Sequence, residues 1–386
     1  MTKIFSSKRI RIWLAGGMGA AIALMGFKVS AWGSEPLMDS DIFKGSRLES
    51  YHFTKDGFFT DAVKAEEKAL RIALAQWGPL HSSLIPIYRD LGILYHTLAE
   101  YPKAERTYKW GLALAEKNLG SDDPRAADFL DSLASLYMDL DRKTEALFLE
   151  ERSLEIREAH QDNTPAYIQT LGSLGIIESS LDHNVQAQSY LKRALVLLEK
   201  MNNADVGPPL HLINALADSY RSEKNTAQEQ ATLEKALGLA RKAFPADSAE
   251  VADALSRLGD FFRDQKQEDK AKPLYDSAVL IDRHFVGTDY SYASLPFLKR
   301  LANADFATGQ FKEAEFLWKK SIQVEKEVFG ARHPKVALDL IHLADAQSAL
   351  NQKSKSQESL KESLNLLKDN FPEDSPWIRL IQKRLK

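Results

Sequence analysis

A large apolar residue followed by a small one returns seven times along the chain, and that recurrence limits the fold more than any other feature. The pairs are Leu91-Gly92, Leu133-Ala134, Leu174-Gly175, Leu216-Ala217, Leu258-Gly259, Leu301-Ala302 and Leu343-Ala344, at intervals of 41 to 43 residues. Three residues past the small member stands an aromatic at Tyr95, Tyr137, Tyr220 and Phe262; Glu178, Asp305 and Gln347 occupy that slot elsewhere. Twelve residues past it comes Ala104, Ala146, Ala187, Ala271 or Ala314, with Glu229 and Ser356 as exceptions. A second small residue lies seven further on, at Gly111, Ser153, Ala194, Ala236, Ala278, Ser321 and Ser363.

This spacing predicts antiparallel helix pairs. A leucine beside a small residue sets a large knob next to a close helix contact, with the aromatic one turn later on the same side. Small residues in the second helix let it approach both its partner and the following unit. One pair cannot bury its own apolar stripe, whereas stacked pairs cover one another, so the predicted architecture is all-α and solenoidal. Seven full units are expected at about 82–119, 124–160, 165–201, 207–243, 249–285, 292–328 and 334–370, with boundaries at Gly120–Pro124, Gly207–Pro209, Gly330–Pro334 and Phe371–Pro376. Strand alternation is absent and the periodic segments are too long for a β-propeller.

Two stretches carry a family resemblance. GSDDPRAADFLDSLASLYMDLDRKTEALFLEERSLEIREA (120–159) and FGARHPKVALDLIHLADAQSALNQKSKSQESLKESLNLLKD (329–369) resemble the tetratricopeptide repeat in the longer form of kinesin light chains and many bacterial proteins; the second keeps the junction Gly330, His333 and Pro334. The resemblance extends over residues 58–386. It implies a right-handed superhelical solenoid of antiparallel helix pairs whose inner groove binds peptides or partner domains.

The ends read differently. Lys3, Lys8, Arg9 and Arg11 precede an uncharged run from Ile12 to Phe27, and Val29-Ser30-Ala31 has the small-residue form of a signal-peptidase site. Residues 1–31 are expected to be a signal peptide, or a retained single-pass anchor if uncleaved, so the chain is expected in a bacterial periplasm or secreted. Removing that segment takes away five basic residues and no acidic one, moving the formal charge from −3 to −8. A moderately acidic body gives no reason to expect nucleic acid. It confines membrane contact to the N-terminal segment. With no cysteine, the chain has no disulfide, thiolate chemistry or Cys-ligated metal. Residues 32–57 are expected to be an irregular tether with a short helix near Leu48–Phe53, followed by a half repeat from Phe58 in which Ala62 and Ala69 fill second-helix slots. Unit four has the weakest turn, Ser222 to Gln230, and a loose entrance. A capping helix over Trp377, Ile378, Leu380 and Ile381 ends the array.

No residue nominates an active site, and neither a cofactor nor a metal is expected. The five histidines near unit junctions, His81, His160, His211, His284 and His333, have no second ligand at metal spacing and read as caps. Gly16-Gly17-Met18-Gly19 falls inside the apolar leader and is no phosphate loop. The family resemblance implies a groove lined by the first helix of each pair. There it places Arg89, Asn214, Arg221, Asp260, Arg263, Lys299 and Asn303, with asparagines for a ligand backbone and basic residues for a terminal carboxylate. The expected function is a non-catalytic scaffold for a peptide or protein partner. A regulatory or sensor subunit is the second reading, and an enzyme with an illegible site the third.

Overall fold

The computed structural model of the chain describes residues 41–160, 164–201, 209–286, 290, 292–373 and 375–385. Among the described residues there are seventeen α-helices and no strand. They form eight consecutive pairs: α1 (Asp41–Lys55) with α2 (Phe59–Trp77), α3 (Ile85–Thr97) with α4 (Tyr101–Leu119), α5 (Pro124–Asp139) with α6 (Lys143–Ala159), and α7 (Pro165–Ser180) with α8 (Asn184–Met201). Next come α9 (Leu210–Ser222) with α10 (Thr226–Ala243), α11 (Ala249–Asp264) with α12 (Glu268–Val286), α13 (Leu295–Ala307) with α14 (Phe311–Phe329), and α15 (Pro334–Ala349) with α16 (Lys353–Asn370). Helix α17 (Pro376–Leu385) packs on α16. Each second helix also packs on the first helix of the following pair, so the apolar stripes are buried between units as the stacking argument requires.

Every pair turns the same way. A residue in the left-handed region closes each first helix: Gly57, Ala99, Asp141, Asp182, Lys224, Lys266, Gly309 and Asn351. The amide after it donates to the carbonyl five residues back, as in Glu100 to Tyr95, Arg142 to Tyr137 and Gln352 to Gln347, which is the Schellman closure of a helix end. The turn of unit four, expected to be the weakest, is built identically, with Asn225 donating to Tyr220. Its entrance at 202–208 lies outside the described residues. Alanine gains nothing from the left-handed conformation, so Ala99→Gly is expected to raise stability by about 1 kcal/mol. A urea melt followed by circular dichroism would register the change.

The turn register corrects the N-terminal boundary. The segment read as a tether is helical from Asp41 to Lys55, and this helix is the first member of a complete pair. Ser50, Phe53 and Gly57 stand where Gly92, Tyr95 and Ala99 stand in the next unit. Its large apolar slot is Glu49, and that polar substitution hides the pattern. The leader and the first part of the tether lie outside the described residues. Among the described residues no helix is long and apolar enough to cross a membrane.

Small landmark residues do what their spacing implies. A Cβ on Gly92 would run into the buried ring of Tyr108 within the same pair, and one on Gly111 into Phe129 of the following pair. In the closing helix, which packs on α16 and is tied to α15 through Arg384 and Asp345, Ile378 and Ile381 are buried while Trp377 and Leu380 stay nearly half exposed.

The array comes back on itself. Phe59, at the start of α2, stacks on Phe329 at the end of α14, with ring centroids 5.8 Å apart, and meets Tyr292 edge-on at 5.6 Å. Gly57 permits this approach twice over, since its φ is +83° and an added Cβ would lie 3.2 Å from the Tyr292 ring. Beside it, His333 bonds the carbonyl oxygen of Thr97 at 3.2 Å, across 236 residues of sequence. Leu295, Val324 and Phe329 accordingly belong to the same apolar core as the first helix pairs. Pairs one and two thus meet pairs seven and eight along a seam.

Candidate functional site: the inner face of the turn

Closing the seam sets first helices opposite one another. His333 and Lys335, at the start of α15, lie near enough to His96 of α3 and Asp139 of α5 for those charges to shift their protonation. His333 carries the seam through both ring nitrogens. Its Nδ1 accepts the amide hydrogen of Lys335 at 3.1 Å, capping α15, which leaves Nε2–H to donate to Thr97. The imidazole is therefore neutral, and burial, reinforced by Lys335, pushes its pKa down to about 3. Lys335 stands 4.5 Å above the Phe329 ring. Burial and the charge of Lys299 hold its ammonium below the ordinary lysine range.

The residues singled out from sequence fall into different surroundings. Arg221, Asp260 and Arg263 come together on α9 and α11. Arg221 Nε meets Glu229 at 2.6 Å, Arg263 meets Asp260 at 2.9 Å, and Tyr275 donates its hydroxyl to Asp260 at 2.8 Å. Burial lifts the Asp260 carboxyl, Tyr275 and Arg263 oppose that, and Arg221 lies close enough to add its own charge. Glu229, the exception in the small-residue slot, is therefore the partner that fixes Arg221.

Lys299 belongs to a second cluster, bonded to Glu325 at 2.6 Å and Asp339 at 2.8 Å, and Asp339 also accepts from Ser321 at 2.6 Å. Burial and the neighbouring Asp339 push Glu325 up to about 7, against the pull of Lys299. Arg89 is held by the adjacent Asp90, which also accepts from Arg47 at 2.8 Å. Arg47 bonds Glu66 as well, and burial raises that carboxyl to about 7. Arg47 escaped the sequence reading because its helix was read as tether. Asn303 is exposed, whereas Asn214 is buried and its Oδ1 has no hydrogen-bond partner. The two asparagines are thus not equivalent.

These ionic groups are largely paired within the chain. Among the described residues no group of three or more His, Cys, Asp or Glu is arranged to hold a metal. The junction histidines His81 and His333 act as caps, each accepting a backbone amide at the start of the helical segment that follows.

Residues 292–369 and 127–160 each match a model of the tetratricopeptide repeat. The chain carries tetratricopeptide repeats over those residues. Among solved structures it is similar to BtubC (BKLC) from P. vanneervenii, at 19% identity over 65% of this chain and 94% of that one, with a TM-score of 0.49. A tetratricopeptide repeat protein from Parabacteroides merdae is similar at 15% identity, covering 76% of this chain and 99% of its own, with a TM-score of 0.47. Pseudomonas aeruginosa pilF is similar at 16% identity over 68% and 97% of the two chains, with a TM-score of 0.42. No curated protein matches the chain.

Proposed function

We propose that the chain is a non-catalytic scaffold that binds a peptide or protein segment along the inner face of its closed turn. What supports this reading most is the approach of first helices across the seam, where Lys335 of α15 comes within charge range of Asp139 of α5, together with the half-exposed charges of Arg221, Asp260 and Arg263 on other first helices. A partner carrying alternating charges exchanges ion pairs with Arg221, Asp260 and Arg263 without leaving any of them buried and alone. Its backbone takes the Asn303 amide. From the leader-like segment 1–31 we infer that this scaffold works outside the cytoplasm; N-terminal sequencing of the mature protein should then begin at Trp32, or at Ser34 if cleavage uses Ala31-Trp32-Gly33.

Panning a random peptide library on the purified chain, then titrating a selected peptide, tests the groove. Saturable binding without turnover is expected. Arg263→Glu should weaken it about tenfold or more, as charge reversal in a recognition surface does, and Asn303→Ala should weaken it less. If Phe148→Asp on the exposed side of α6 abolishes binding while both groove variants bind normally, the inner face is not the recognition surface.

A further inference from the structure

The slot three residues past the landmark small residue holds a ring in five of the eight pairs: Phe53, Tyr95, Tyr137, Tyr220 and Phe262. In two of these a lysine eight residues further along covers the ring, Lys103 over Tyr95 at 5.1 Å and Lys270 over Phe262 at 5.2 Å. The seventh pair reverses both positions. Asp305 takes the ring slot, and Glu313 takes the lysine slot. A carboxylate does not fill the volume of a ring, and an open cavity of about 350 Å³ remains between α12, α13 and α14. Asp305, Glu313, Arg283, Tyr290 and Phe316 line it, with Leu301 among its apolar residues.

Its chemistry is unfinished. Asp305 is only 1% exposed, and its Oδ1 has no hydrogen-bond partner. The other two slots that lost their ring are satisfied within the chain: Glu178 is bonded by His183 at 2.7 Å, and Gln347 accepts from Ser359 at 2.9 Å. At Asp305 the nearest cation is Arg283, more than half exposed and 3.7 Å away, outside hydrogen-bond reach. Burial lifts the Asp305 carboxyl to about 6, Arg283 lowers it and Glu313 raises it further. Tyr290 and Phe316 meet edge-on at 6.3 Å beside it, and Lys320 already stands over both rings, at 5.3 and 5.8 Å. Aromatic faces of this kind attract ammonium groups.

We propose that this cavity is a binding site for an alkyl ammonium group, the end of a lysine side chain on a partner polypeptide or a free primary amine, with Asp305 as its counter-charge. The ammonium displaces Arg283, which turns out to solvent on its exposed stem. Glu313 sits at the mouth, and the Tyr290 and Phe316 rings wall the alkyl chain. None of the inner-face residues takes part, so the site stands or falls apart from the groove.

Saturation-transfer NMR on the whole chain tests it with three probes: an acetylated, amidated Gly-Lys-Gly peptide, the same peptide with norleucine for lysine, and n-butylammonium. Binding of the lysyl peptide is expected, with no binding of the norleucine peptide. Asp305→Asn should weaken binding about tenfold, the loss that goes with a charge-assisted hydrogen bond, and Arg283→Ala should tighten it. Equal binding of n-butylammonium identifies a free amine as sufficient, and its failure identifies a lysine within a polypeptide. Should Asp305→Asn disturb the fold, Phe316→Ala, at a half-exposed ring, serves instead and should weaken the lysyl peptide alone. Equal binding of the lysyl and norleucine peptides, no binding of either amine probe, or no effect of Asp305→Asn in a folded protein would overturn the proposal.

Discussion

Arg157→Ala is expected to destabilise the third and fourth helix pairs by about 3–5 kcal/mol, the cost of leaving a buried ion-pair partner uncompensated. Arg157 is only 2% exposed. It donates to Asp128 at 2.9 Å, to Asp131 at 2.6 Å and to Thr170 at 3.0 Å, so one guanidinium joins α5, α6 and α7. Without it Asp131 is left buried beside Asp128 and Glu150 with no cation, where burial already raises its carboxyl against the pull of Arg157. Glu150 beside it is pushed well above the usual carboxylate range, by burial first and the Asp131 charge second. A repeat array does not unfold as one unit. The loss should therefore appear as faster hydrogen exchange over α5–α7, with the eighth pair little changed. Removing both charges with apolar residues, Arg157→Met with Asp131→Leu, should recover most of the stability, because the pair is costly chiefly when halved.

Phe329→Ala is expected to open the turn. Phe329 gives up its stack on Phe59, its edge contact with Tyr292 and its contact with the His333 ring at 4.8 Å. Deleting a buried phenylalanine ring costs about 3–5 kcal/mol. Phe59–Tyr292 and His333–Thr97 remain across the seam, without the ring that joins them. Small-angle scattering should show a larger radius of gyration with helix content unchanged.

Acid should do the same more gradually. With the seam closed, His333 is neutral with a pKa near 3, and once open it regains its ordinary value. The open form therefore takes up a proton first as pH falls. The His333 contribution to closure is fully present above about pH 6.5 and is lost by roughly 1.4 kcal/mol per unit below it. The flanking charges are Lys335, Lys299 and His96. Glu325, raised to about 7, contributes with the opposite sign to overall stability, but its partners Lys299 and Asp339 lie on its own side of the seam.

Periodicity made the fold legible wherever the landmark leucine and its small neighbour were both present, and it placed pairs two to eight within a few residues. It missed the first helix of the first pair because Glu49 fills the leucine slot, although Ser50, Phe53 and Gly57 keep the register as Ala62 and Ala69 do in the second helix. The backbone turn is more faithful than the side chains. Ala99, Asp141, Lys224 and Asn351 share one left-handed conformation and have little chemistry in common. The inner face was legible only as a set of slots. Which slots carry free groups depends on partners on other helices: Glu229 for Arg221, and Glu325 with Asp339 for Lys299. The seam was illegible, since Phe59, Tyr292 and Phe329 lie outside the repeating positions and their meeting depends on curvature summed over the whole array.

Closure of the turn is tested most directly by one distance across the seam. The chain has no cysteine of its own, so Thr60→Cys and Arg332→Cys, both at exposed positions flanking the Phe59–Phe329 stack, accept spin labels at those two sites alone. Double electron–electron resonance on this protein at pH 7.5 should give a single, narrow, short distance that lengthens and broadens in Phe329→Ala. A broad, long distribution in the otherwise unaltered chain would contradict a closed turn and, with it, an enclosed recognition face.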